Sequence, residues 1–103
     1  MVRHVIVWKL KEEYTEAEKS SIRAGIREGL EGLAGKIPGL VKIQVNTEGL
    51  PSSNADLMLD SLFEDEQALK GYSVHPEHVA VANTKVRPYV QVRCCFDYTV
   101  PAE

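Results

Sequence analysis

Cysteine is nearly absent from this sequence: two of 103 residues, and these two, Cys94 and Cys95, are adjacent. Neighbours on a strand point to opposite faces, so an ordinary bridge between them is geometrically poor and two thiols in a reducing compartment are expected. Neither a Cys-x-x-Cys pair nor a glycine-rich phosphate loop occurs, which removes the usual support for structural zinc, dinucleotide cofactors and P-loop chemistry. Lysine and arginine form no stripe, and 12 basic against 15 acidic residues leave a net charge of −3, so nucleic acid is not an expected partner. The apolar runs are only a few residues long, too short for a membrane span, and Met1-Val2-Arg3-His4 leads into an alternating strand rather than a signal peptide. One soluble cytoplasmic domain over residues 1–103 is expected, without repeats or linkers.

Alternation from Val2 to Leu10 sets His4, Ile6, Trp8 and Leu10 on one strand face and Arg3, Val5, Val7 and Lys9 on the other. Thr15-Glu16-Ala17-Glu18 is a capping-box signature, after which Ile22, Ile26, Leu30, Leu33 and Ile37 recur at helical spacing until Pro38-Gly39. This predicts one long amphipathic helix despite Gly25, Gly29 and Gly32. A second strand over about 40–48 turns Val41, Ile43 and Val45 inward; a third, over about 55–63, sets Leu57, Leu59, Ser61 and Phe63 against Asp56, Met58, Asp60 and Leu62. Asp65 is placed to cap a short helix reaching Tyr72, and Pro76 opens another through Val79, Val81 and Ala82. After Pro88 a last strand carries Val90, Val92, Cys94, Phe96 and Tyr98 on one face, expected to meet the helices.

The order β-α-β-β-α-β predicts a ferredoxin-like α+β fold, a four-stranded antiparallel sheet with its helices on one side. The second sheet face would then bear Val5, Val7, Met58, Leu62 and Cys95 among Arg3, Arg93, Asp56, Asp60 and Gln44. Such a face is too apolar for water and too charged for an internal core, which suits a homodimer.

Groups that move protons near neutral pH are scarce, and they gather in Tyr72-Ser73-Val74-His75-Pro76-Glu77-His78, which holds two of the three histidines. Pro76 suits the first helical position and pushes His75 toward an extended, N-cap-like conformation, leaving His78 in the first turn near Tyr72. His4 comes from the inward strand face, beside Ile6 and Trp8, and could reach the same place. Two readings stay open. His78 acts as a general base while Tyr72 polarises a carbonyl oxygen, or the His-Pro turn merely caps a helix and His4 hydrogen-bonds within the core. Three nitrogens from His4, His75 and His78 are conceivable metal ligands, but two of them straddle a helix start and no acidic ligand is aimed at them, so neither metal nor cofactor is expected.

His4-Val5-Ile6-Val7, Lys36-Ile37-Pro38-Gly39, Phe63-Glu64-Asp65, Tyr72-x-x-His75-Pro76-x-His78-Val79 and Phe96-Asp97-Tyr98, in this order and spacing, resemble the stress-responsive A/B barrel (Dabb) domain family. The resemblance implies two ferredoxin-like subunits pairing their open sheet faces into a dimeric α+β barrel. It implies little about activity, since members include plant stress proteins, bacterial proteins of unknown role and a polyketide cyclase. In that cyclase a Tyr and a His matching Tyr72 and His78, with a first-strand His matching His4, line a pocket between sheet and helices. Two further polar residues of the cyclase are matched here by Leu57 and Ile26, which implies a drier pocket and a different substrate.

The expected catalytic group is therefore His78, Tyr72 and His4, with Ile6, Trp8, Ile26, His75 and Val81 bordering a small carbonyl compound. The activity expected is that of a cofactor-free cyclase, lyase or isomerase. The alternative is a non-enzymatic stress-related or small-ligand-binding dimer, in which Ile26, Leu30, Trp8 and Val81 fill the space instead.

Overall fold

The first strand does what its alternation predicts. In a computed structural model, which describes residues 1–102, β1 runs over Val2–Leu10, and His4, Ile6, Trp8 and Leu10 are buried while Lys9 is exposed. It lies between β3 (Leu57–Phe63) and β4 (Val90–Thr99), and β2 (Leu40–Asn46) pairs with β3 at the far edge. All three pairings are antiparallel, giving one sheet in the order β2-β3-β1-β4. The helices α1 (Glu16–Glu31), α2 (Glu66–Val74) and α3 (Pro76–Val81) cover one face, the inner face, to complete a ferredoxin-like α+β fold. None of the helices among the described residues is long and apolar enough to cross a membrane.

Local chemistry sets the helix boundaries. Thr15 Oγ1 accepts from the Glu18 N–H at 3.1 Å and the Thr15 N–H donates to Glu18 Oε1 at 2.8 Å, the reciprocal capping box that starts α1. The helix ends at Glu31, earlier than the spacing of Leu33 and Ile37 predicts; both residues stay buried, but on successive turns rather than on a helix. Gly39 closes this segment at φ 81°, and a Cβ built there would stand 2.4 Å from Cβ of Ala68 on α2. Only glycine meets both the left-handed backbone and the close approach. Of the mid-helix glycines, Gly29 has a packing reason: a Cβ on it would lie 2.9 Å from Val81 Cγ1, so it lets α3 approach α1.

Two bulges revise the strand faces expected from simple alternation. Between Leu40 and Lys42 the β2–β3 register shifts, so Leu40 pairs with Phe63 and packs inward while Val41 is left exposed. Between Lys9 and Leu10 the β1–β4 register shifts as well: Leu10 pairs with Val90, but Lys9 pairs with Val92. One extra residue, Gln91, inverts the alternation of everything after it. Val92, Cys94, Phe96 and Tyr98, expected to meet the helices, therefore share the outer face with Lys9, Val7, Val5 and Arg3, their cross-strand partners. Arg93, Cys95 and Asp97 move to the inner face, opposite Trp8, Ile6 and His4.

The outer face is consequently more apolar than the sequence suggested, and Phe96 is 68% exposed on it. Val5, Val7 and Met58 join it, with Arg3 Nη1 paired to Asp60 Oδ1 at 2.7 Å. Leu62, on the same face, is already buried within the single chain, between its cross-strand neighbours Arg3 and Lys42.

Candidate functional site

The inner face is not fully roofed. The helices pack over β2, β3 and β1, while β4 is exposed along its length. Beneath the overhang lies a cavity of about 310 Å³. Its floor is His4, Ile6, Trp8 and Leu59 of the sheet; Leu69, Tyr72 and Ser73 of α2 and His78 of α3 form one wall, and Val86, Arg87, Gln91 and Arg93 the other.

The α2–α3 break positions the two central groups. His75 sits between the helices with φ −66° and ψ 132°, the extended conformation that a following proline favours, and its Nδ1 accepts the Glu77 N–H at 3.1 Å. This chain reversal lays the His78 ring on the Tyr72 ring, centroids 4.1 Å apart. Tyr72 is buried and also packs against Phe63 at 5.0 Å and His4 at 6.0 Å. Yet the Tyr72 hydroxyl and His78 Nδ1 are both buried without a hydrogen-bond partner in the protein. Most buried polar atoms are paired, so two orphans on residues that line the same cavity are candidates for pairing with an outside group, although the Ser73 backbone also lies near the His78 ring.

Burial decides the protonation states. Desolvation raises the Tyr72 phenol well above its ordinary value, against a smaller opposing pull from Arg93, so it stays a donor at any physiological pH. Desolvation also lowers His78; the Ser73 backbone opposes this, and Arg87, His4 and Arg93 reinforce it, so the ring is neutral near pH 7. His4, whose backbone carbonyl accepts Ser61 Oγ at 2.9 Å, brings Nδ1 within 2.5 Å of Asp97 Oδ1. Cys95 Sγ donates to the same oxygen at 3.5 Å. Burial, then Asp97, raises the Cys95 thiol, which keeps it protonated.

His4, Tyr72 and His78, picked out from the sequence, thus come together on one cavity, with Ile6 and Trp8. Three expected neighbours do not join them. Ile26 is sealed in the core, Val81 lies between α1 and α3 against Gly29, and His75 is occupied as the cap between α2 and α3. The residues that sequence reasoning missed are Asp97, Arg93, Arg87, Gln91 and Ser73. Phe96-Asp97-Tyr98 was visible as a motif, but the bulge at Gln91 hid that Asp97 and Arg93 face inward. His75 is not gathered with the other histidines. Among the described residues the group whose ligand atoms lie close enough to share a cation, within 4.8 Å, is His4, Cys95 and Asp97. Those three side chains form a hydrogen-bonded set, Asp97 accepting from Cys95 and bonded to His4 Nδ1, that fixes the His4 ring.

Comparison with known proteins agrees with this architecture. The model of the stress-responsive A/B barrel domain family matches residues 2–100, and the chain belongs to that family. A dimeric protein of unknown function with a ferredoxin-like fold from Bacteroides fragilis is 30% identical, with a TM-score of 0.89 over 96% of this chain and 95% of its own. A Dabb family protein from Mesorhizobium loti is 21% identical, with a TM-score of 0.73 over 98% and 97%. The hydroxynitrile lyase of Passiflora edulis shares the fold at 15% identity, with a TM-score of 0.72 over 99% and 94%. No curated protein matches the chain.

Proposed function

We propose that this member of the stress-responsive A/B barrel family is a homodimer whose subunits each bind a small carbonyl compound and abstract a proton from it, as a cofactor-free lyase, cyclase or isomerase. The observation that carries the reading is the pair of buried, unpaired polar atoms, Tyr72 hydroxyl and His78 Nδ1, on two residues that line a cavity of about 310 Å³. Neutral His78 takes the proton from the carbon next to the carbonyl. The electron pair of that C–H bond moves toward the carbonyl, and the oxygen, gaining negative charge, accepts a hydrogen bond from the Tyr72 hydroxyl. His4, held by Asp97 through Nδ1, lines the same space and would steady the ligand through its other nitrogen. Dimerisation is supported by the apolar outer face and by the dimeric B. fragilis relative. The cytoplasm suits two free thiols, Cys94 and Cys95.

A non-enzymatic ligand-binding dimer is the second reading, favoured by the way Tyr72 packs between Phe63 and His78 as an anchor of α2 on the sheet. Exchange of ketone α-protons with solvent deuterium, followed by proton NMR on a panel of small ketones, separates the two. Wild-type protein is expected to accelerate exchange, and His78→Ala to lose roughly 10²–10⁴ of that rate while keeping its fold. Exchange that is equal in wild type and His78→Ala, with only the melting temperature lowered, would leave the binding reading in place.

A further inference from the structure

Proton abstraction from a ketone needs no positive charge at the cavity mouth, yet two arginines stand there. Arg87 and Arg93 both line the cavity and no aspartate or glutamate does, although the chain as a whole carries −3. Arg93 lies on the inner face of β4 opposite Trp8, and Arg87 in the turn that leads into that strand. Arg87 donates through Nη1 to Asn83 Oδ1. Among the described residues neither guanidinium has a carboxylate within 4.0 Å. Their charge reaches the reacting groups: both depress His78, and Arg93 also acts on Tyr72.

A cleft lined by two permanent cations and no carboxylate, with Asp97 set behind His4 and bonded to it, attracts anions, and a guanidinium fork matches a carboxylate better than any other small group. We propose that the natural ligand is an oxo acid, a carbonyl compound whose carboxylate is held by Arg93 and Arg87 while its hydrocarbon part lies on Ile6, Trp8 and Leu59. This rests on the reading of the cavity as the substrate site and adds the substrate's charge. The cavity of about 310 Å³ suits a small acid. A bound carboxylate also offsets the arginines' effect on His78, so the base strengthens when its substrate arrives.

Trp8 is the chain's one tryptophan and lines the cavity, so its emission reports occupancy. The test titrates 4-methyl-2-oxopentanoate against the uncharged 4-methyl-2-pentanone, with wild type, Arg93→Met and Arg87→Met, each first checked for an unchanged melting temperature. The acid is expected to bind wild type roughly ten- to a hundredfold tighter than the ketone. Most of that preference should vanish in Arg93→Met, and added salt should erode it. Ketone affinity, measured for each variant, is the reference against which the acid preference is taken. Equal affinity for acid and ketone, or an acid affinity indifferent to both substitutions, overturns the oxo-acid proposal and leaves the carbonyl site standing. If neither probe nor straight-chain homologues up to eight carbons change Trp8 emission, the site reading falls with it.

Discussion

Replacing Tyr72 by phenylalanine is expected to stabilise the protein while weakening the activity of the cavity. The ring is buried against Phe63 at 5.0 Å and His78 at 4.1 Å, and phenylalanine keeps those contacts. What it removes is a hydroxyl that has lost its hydration and found no partner in the protein. Leaving such a group unsatisfied costs about 1–3 kcal/mol. The space vacated by one oxygen is smaller than a methyl group, so little is lost in packing. A gain of about 1 kcal/mol is expected, which for a domain of this size raises Tm by roughly 4–8 °C. Thermal unfolding followed by circular dichroism measures it, at one fixed protomer concentration because a dimer's Tm depends on concentration. A loss of about 1 kcal/mol or more would show that the hydroxyl is satisfied within the folded protein, and the argument for an outside hydrogen-bonding group would fail.

Gly39→Ala should cost roughly 2–4 kcal/mol in urea unfolding, from the left-handed φ of 81° together with the clash at Ala68, whereas Gly35→Ala, at φ 80° but in open space, should cost about 1. Catalytic rate should rise with pH through a midpoint below the ordinary histidine value of 6.5, because burial, Arg87, Arg93 and His4 all lower His78 in the fold. The same shift makes the unfolded chain the better proton acceptor below 6.5, so stability falls as pH drops toward the lowered value, and His78→Gln should flatten both profiles. Phe96→Asp places a charge on the outer face opposite Val5 and should convert a two-chain species to a single chain in sedimentation at micromolar concentration; an unchanged dimer would contradict the assignment of that face.

Sequence periodicity reached the fold because β1, α1 and β3 carry regular patterns and because His75-Pro76 announces its own chain break. It also gathered His4, Tyr72 and His78, since two of these lie on either side of that break and the third on the buried face of β1. Parity was what it could not see. A bulge adds one residue without leaving a distinctive letter, and Gln91 looks like any exposed strand residue. Everything downstream changed sides as a result, moving Phe96 and Tyr98 outward and bringing Arg93 to the cavity and Asp97 to His4. The end of α1 was hidden for a related reason: Leu33 and Ile37 stay buried on turns, so burial alone kept helical spacing alive past Glu31.

Whether the cavity holds a carbonyl compound against the edges of Tyr72 and His78 decides the proposed function. Crystals soaked with 4-methyl-2-pentanone and with 4-methyl-2-oxopentanoate test this most directly. The carbonyl oxygen is expected about 2.6–3.2 Å from the Tyr72 hydroxyl, with the adjacent carbon facing His78 Nδ1. A cavity closed by its own side chains, or an occupied one in which the Tyr72 hydroxyl and His78 Nδ1 touch nothing of the ligand, would contradict it.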